Sequence, residues 1–185
     1  GVGAASRSGG PALGGVGAGV GRWCGVRLGV AVGSGAAGLH RSGKALGVGP
    51  GDCVWTSPIT FVDSANCARY CGATVDFVDV DPGTINLCPD RLEAKLEAAA
   101  REGKLPKVVI PVHFAGQTCD MPRIHALGQR YGFRIIEDAS HALGGSHLGE
   151  RPGNCRESDQ APHSLKPENR GTTDEGGVTT TSDRR

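Results

Sequence analysis

The chain has 185 residues, enough for one ordinary domain with its own core. Its 20 basic and 19 acidic side chains leave a formal net charge of +1, which excludes the general attraction that draws strongly basic proteins to nucleic acid or anionic membranes. No run approaches the ~18 apolar residues of a membrane span. Seven scattered cysteines, odd in number and without a CxxC, point to free thiols in a reducing, cytoplasmic setting, not to a disulfide framework or a metal site.

The composition is uneven. Residues 1–51 hold 18 of the 31 glycines, and the first acidic residue is Asp52. Residues 153–185 contain 11 charged residues and, of the large apolar types, only Leu165 and Val178. The expected organisation is therefore a solvated, Gly-rich leader over 1–22, a folded core over 23–152 and a poorly ordered tail over 153–185.

Within the core, short apolar runs alternate with helical patterns, the signature of βαβ units and a parallel sheet. Val30-Ala31-Val32 reads as a strand, followed by a small-residue turn and a helix over 36–46 in which Gly38 and Gly43 each cost about 1 kcal/mol relative to Ala. Val54-Trp55-Thr56 is the next strand, and 61–70 a helix that stops at Gly72. Residues 75–80 alternate as a strand and turn at Asp81-Pro82-Gly83. A helix over 90–102 presents Leu92, Leu96 and Ala99 on one face. Residues 107–112 form a buried strand, ended by Pro111. Asp120 caps a helix carrying Ile124, Leu127 and Tyr131, and Gly132 closes it. Residues 133–137 are the last strand, with Asp138 just past its carboxyl end, where open α/β sheets bind ligands. The fold class is α/β.

Gly33-Ser34-Gly35-Ala36-Ala37-Gly38 follows a strand and opens a helix. Its small residues let backbone N–H groups at the helix start approach an anion. Three readings fit: a dinucleotide loop of the GxGxxG type, a site for a single phosphate group, or a plain tight turn. The first needs an acid about 20 residues on, after the second strand. Thr56 and Ser57 stand there, while Asp52 lies at the strand's other end.

Six collinear stretches carry a resemblance: VAVGSGAAGL (30–39), ALGVGPGD (45–52), WTSPITFVDSAN (55–66), GATVDFVDVD (72–81), VVIPVHFAGQ (108–117) and IIEDASHALG (135–144). Together they resemble the DegT/StrS family of sugar-nucleotide aminotransferases. WTSPITFV and EDASHALG sit nearest the subgroup that aminates a UDP-linked 4-keto-6-deoxy N-acetyl sugar toward pseudaminic acid. The resemblance implies a partial fold-type-I large domain, a mostly parallel sheet flanked by helices. It also implies pyridoxal 5'-phosphate (PLP) as cofactor, a nucleotide-sugar substrate, glutamate as amino donor and homodimers in the family, with neither nucleic acid nor membrane as a partner.

Roles follow position by position. Asp138 would hold the pyridine nitrogen's proton through a charge-assisted hydrogen bond; read alone it also fits a cap after a strand. His141 would reach the cofactor's phenolic oxygen, Phe61 would stack on its ring, and Gly35 and Ala36 would offer N–H groups to its phosphate, Ala36 standing where the family usually has Thr. The family's lysine segment resembles S-F-H-P-V-K-I-I-T-T-G-E-G-G. Here it reads SLKPENRGTTDEGG (164–177), with Ser164 in register, Lys166 at the family's His and Asn169 at its lysine. An amide cannot condense with an aldehyde, so the chain is expected to be impaired, with Lys166 as an amine out of register. Where the family has an apolar strand before Ser164 the chain reads Glu157-Ser158-Asp159-Gln160-Ala161-Pro162-His163, a segment expected not to fill a buried strand position without leaving charges unpaired. With the polar Arg41-Ser42-Gly43-Lys44 it adds to a picture of a truncated or degraded coding sequence. The alternatives are a non-catalytic PLP-binding remnant, a lysine-less PLP sugar dehydratase and a nicotinamide enzyme.

Overall fold

The computed structural model describes residues 11–146, 149–166 and 175–182. In chain order its elements are α1 (Pro11–Cys24), β1 (Leu28–Val32), α2 (Gly35–Ala45), β2 (Cys53–Thr56), α3 (Asp63–Tyr70), β3 (Thr74–Phe77) and α4 (Pro89–Glu102). They continue with β4 (Val108–Ile110), α5 (Met121–Tyr131), β5 (Arg134–Ile135), β6 (Ala161–Ser164) and β7 (Gly177–Thr181). The expected core elements are all present, shifted by a few residues at their ends.

Strand alternation sets the layers. Trp55, Val109 and Ile135 face one side, where they pack with Leu92 and Leu96 of α4 and Ile124 and Leu127 of α5. Their neighbours Val54, Val108, Ile110 and Ile136 face the other side, against Leu39 of α2 and Cys67 and Ala68 of α3. Covered on both faces, the parallel strands read as continuous apolar runs. They lie in the order β3-β2-β4-β5.

The other half of the sheet is built from the ends of the sequence. β7 pairs antiparallel with both β1 and β6. A parallel bridge between Ile136 and Gln160 joins the halves, with Glu137 N–H donating to the Gln160 carbonyl at 2.9 Å and Ala139 N–H to the Pro162 carbonyl at 3.0 Å. The order across the molecule is thus β3-β2-β4-β5-β6-β7-β1.

This corrects the poorly ordered tail expected over 153–185, as far as its described residues go. The charges that argued against a buried strand stop short of it. Asp159 accepts from the Arg134 guanidinium at 2.7 Å and from Ile135 N–H at 2.8 Å, and Ser158 donates to Glu137 at 2.8 Å. What enters the sheet is Ala161, Pro162, His163 and Ser164, all buried. Burial holds the His163 imidazole down at about 4, so it enters uncharged.

The solvated leader over 1–22 is corrected for residues 11–22, which belong to α1. Glycine is the reason the helix fits. A Cβ added at Gly17 would meet the Gly29 carbonyl oxygen at 2.2 Å, and one at Gly29 would meet the Gly17 carbonyl oxygen at 2.1 Å. Helix and strand backbones touch, a contact closed to any larger residue. Gly29→Val should therefore lower stability by about 3 kcal/mol, the upper range of overpacking costs. A melting temperature equal to the parent's would show that this contact carries no weight.

The sheet also overturns the dinucleotide reading. A nicotinamide fold needs β1 and β2 as parallel neighbours, but β1 pairs with antiparallel β7 and β2 pairs with β3 and β4. Asp52 is occupied structurally, accepting from Gly49 N–H at 2.9 Å and from Lys107 at 2.9 Å. All seven thiols are free; burial pushes those of Cys24, Cys67 and Cys155 up to about 12, which keeps them protonated and inert. Among the described residues no helix is long and apolar enough to cross a membrane.

Candidate functional site

The carboxyl ends of the strands open into a cavity of about 390 Å³. From β1 the chain turns through Ser34, whose hydroxyl accepts the Ala37 N–H at 3.1 Å and caps α2. The Gly38 N–H goes to the Ser34 carbonyl, so the first turn of α2 leaves Gly35 and Ala36 as its free N–H groups. Both residues line the cavity. Gly35 is pressed between two neighbouring elements: an added Cβ would lie 2.9 Å from Ser164 Cβ and 3.4 Å from Ser140 Oγ. Ser164, the last residue of β6, lines the same wall.

Asp138 forms the floor at the end of the β5 segment and is 4% exposed. Its Oδ1 accepts from Ser140 N–H at 3.1 Å and Ser140 Oγ at 2.6 Å, an Asx turn that fixes one edge of the carboxylate. Its Oδ2 accepts from Ser64 Oγ of α3 at 2.7 Å. The described residues thus give it neutral donors only. Phe61, at the entrance to α3, lines the cavity while 62% exposed and so presents an aromatic surface there. His141 and Lys166 complete the lining; the Lys166 ammonium lies 5.8 Å from the centre of the Phe61 ring. Every described residue to which the resemblance gives a site role thus lines one cavity. Asn169 lies outside the described residues.

The sequence pattern of the DegT/DnrJ/EryC1/StrS aminotransferase family matches residues 6–185. The chain belongs to this family. It is 39% identical over 161 residues to GDP-perosamine synthase of Caulobacter vibrioides, covering 87% of this chain and 41% of that protein. To the spore coat polysaccharide biosynthesis protein SpsC of Bacillus subtilis it is 40% identical, covering 86% and 39%. Among solved structures, a DegT/DnrJ/EryC1/StrS aminotransferase from Brucella abortus superposes with a TM-score of 0.88 at 32% identity, over 95% of this chain and 47% of the other. The PLP form of Spr1654 from Streptococcus pneumoniae matches with a TM-score of 0.81 at 26% identity over 95% and 47%. The chain spans about two fifths of the length of these curated relatives.

Behind the cavity of this DegT-family chain lies a buried polar cluster that sequence reading passed over. The Cys119 N–H donates to His113 Nδ1 at 3.1 Å, which leaves that nitrogen without a proton and makes Nε2 the donor to Glu137 Oε1 at 2.9 Å. Burial alone pushes the Glu137 carboxyl up. Donors from His113, Ser158 and Gly153 N–H outweigh it and hold the group below the usual carboxylate range. The cluster ties β4, β5 and the segment before β6 together beneath Asp138. The sequence signal was the pair Glu137-Asp138 at a strand end: two adjacent acids on opposite sides of a buried strand, each requiring its own donors. Ser64 and Ser140, which donate to Asp138, and Thr60, which bonds Ser64, were likewise missed, because a lone hydroxyl residue carries no pattern of its own.

Proposed function

We propose that the cavity holds PLP and that the protein to which this chain belongs transfers an amino group to a nucleotide-linked keto sugar. The observation that carries the reading is the convergence of Gly35, Ala36, Phe61, Asp138, His141 and Ser164, from four separate stretches of sequence, on one cavity of ligand size. The residues fit the cofactor group by group. The free N–H groups at the start of α2 and the Ser164 hydroxyl suit a phosphate. Phe61 offers a flat face to a pyridine ring. Asp138, with both oxygens already oriented, accepts the ring N–H and keeps it protonated, and His141 reaches the phenolic oxygen. When bound, PLP supplies an electron sink for the bond broken at the amino carbon.

Lys166 is the amine that the described residues bring to this cavity. Its role in the reading is to hold the aldehyde and carry protons in place of the family lysine, whose position Asn169 occupies. Approaching from out of register, it leaves turnover impaired. The relatives' names support a sugar substrate. The choice of a UDP-linked 4-keto-6-deoxy amino sugar, with glutamate as donor, rests on the resemblance of WTSPITFV and EDASHALG. Homodimer assembly and a cytoplasmic location belong to the same reading.

The test is a PLP titration followed by borohydride treatment and peptide mass analysis. The expected result is saturable binding and a pyridoxyl adduct on Lys166, absent from Lys166→Ala; Asn169→Lys should increase fixation. Absence of saturable PLP binding would overturn the cofactor, and saturable binding without fixation at Lys166 would favour a lysine-less remnant or dehydratase.

A further inference from the structure

We propose that Ser64, backed by Thr60, is a positioning residue that sets the Asp138 carboxylate for its ligand. The inference rests on the reading of Asp138 as acceptor of a protonated ring nitrogen, and it extends that reading to two residues that the resemblance did not assign.

Three distances and the chemistry of a carboxylate carry it. Ser64 Oγ lies 2.7 Å from Asp138 Oδ2, and Thr60 Oγ1 lies 2.8 Å from Ser64 Oγ. Ser140 Oγ lies 2.6 Å from the other oxygen, Oδ1. An ionised carboxylate only accepts. The Ser64 proton therefore points at Asp138, and Ser64 Oγ must itself accept from Thr60, which fixes the direction of the chain as Thr60 to Ser64 to Asp138. Each carboxylate oxygen then has its own donor, from a different element: Ser64 from α3, 74 residues away, and Ser140 from the turn that follows Asp138. Rotation of the carboxylate about its terminal torsion, which is soft in an isolated side chain, would break both contacts at once.

Burial makes the arrangement costly to disturb. Ser64 is 0% exposed and Asp138 4% exposed, so water does not replace a lost donor. Ser140 alone leaves Oδ2 free to swing. Ser64 removes that freedom and still leaves Oδ2 a lone pair for an incoming N–H. Thr60 precedes Phe61 directly, so the same short loop that presents the aromatic surface also ends the hydroxyl chain. Stacking and ring-nitrogen recognition are mechanically linked through residues 60–64.

The experiment compares PLP dissociation constants, from spectroscopic titration, for the parent, Ser64→Ala, Ser64→Thr, Thr60→Val, Asp138→Asn and the Ser64→Ala/Asp138→Asn double variant. Loss of a hydrogen bond to a charged acceptor should weaken binding about tenfold in Ser64→Ala. Ser64→Thr should return to within about threefold of the parent, and Thr60→Val should lose about threefold. In the Asp138→Asn background Ser64→Ala should cost clearly less than its tenfold in the parent, because the charged acceptor is gone; a merely structural serine would give additive losses. Equal affinity of Ser64→Ala and the parent, or additivity, overturns the proposal while leaving the cofactor reading intact. If the parent binds no PLP, the cofactor reading fails, and the Asp138 carboxyl carbon resonance decides the positioning role in the cofactor-free chain. It should shift in Ser64→Ala and return in Ser64→Thr; an unmoved resonance overturns the inference.

Discussion

Acidifying the folded chain from pH 7 to pH 4 is expected to remove about 3 kcal/mol of stability through His163 alone. The imidazole is fully buried in β6, and burial holds it down at about 4 against an ordinary 6.5. Its Nε2 sees only the Thr180 hydroxyl at 3.4 Å and the Cys24 thiol at 3.8 Å, and Nδ1 has no partner among the described residues. The sign follows from proton uptake. Between pH 6.5 and 4 the unfolded chain binds a proton at this residue and the folded chain does not. The contribution is therefore whole above pH 6.5 and lost as pH falls toward 4. Glu137, held below the usual carboxylate range, acts in the same direction at the lower end of the window. Urea unfolding at a series of pH values measures the slope, and His163→Gln should flatten it. Equal stability at pH 7 and pH 4 would refute the assignment of a neutral, buried imidazole.

The second large effect concerns ligand binding. Asp138→Asn should weaken PLP binding 10- to 100-fold, the factor corresponding to about 1.5–3 kcal/mol for a charge-assisted hydrogen bond. The substitution is nearly isosteric, so the backbone need not move, but its consequences at the two oxygens differ. The amide oxygen can keep the contacts with Ser140, whose N–H and hydroxyl both donate. The amide NH₂ then faces Ser64, forcing that hydroxyl to accept, and it offers a donor where the ring nitrogen also donates. Fluorescence or absorbance titration reads the result. An Asp138→Asn chain that binds PLP as tightly as its parent would remove the carboxylate from the site.

Much of the site was legible because its chemistry is written in fixed spacings. A small-residue turn after a strand and an acid past a strand end each had a local signature; Phe61, read as the start of a helix, took its role from the resemblance alone. The core strands were legible for a similar reason: Val54-Trp55 and Val108-Val109-Ile110 send adjacent apolar residues to opposite faces, and only a doubly covered sheet uses such runs. α1 was not legible, since its glycines look like disorder until Gly29 is seen pressed against Gly17. Nor was β6, where Pro162 and His163 argue against a strand on local grounds and are admitted by a neutral imidazole and by ladder partners on β7 and after β5. The pairing of β1 with β7, about 150 positions apart, leaves no trace in either segment alone.

That last pairing has a kinetic meaning. β1 is made early, yet its ladder partner is β7, so Leu28 waits for Thr181 and Val32 for Gly177 before any strand hydrogen bonds can close. During synthesis the β2–β5 half can condense as it emerges, while β1 lacks its ladder partner until residues 177–181 have been made. Such distant closure is slow and leaves an unprotected edge in the interim. Conditions or helper proteins that shield residues 11–32 during that interval should raise the yield of folded chain more than any change made in the β2–β5 half.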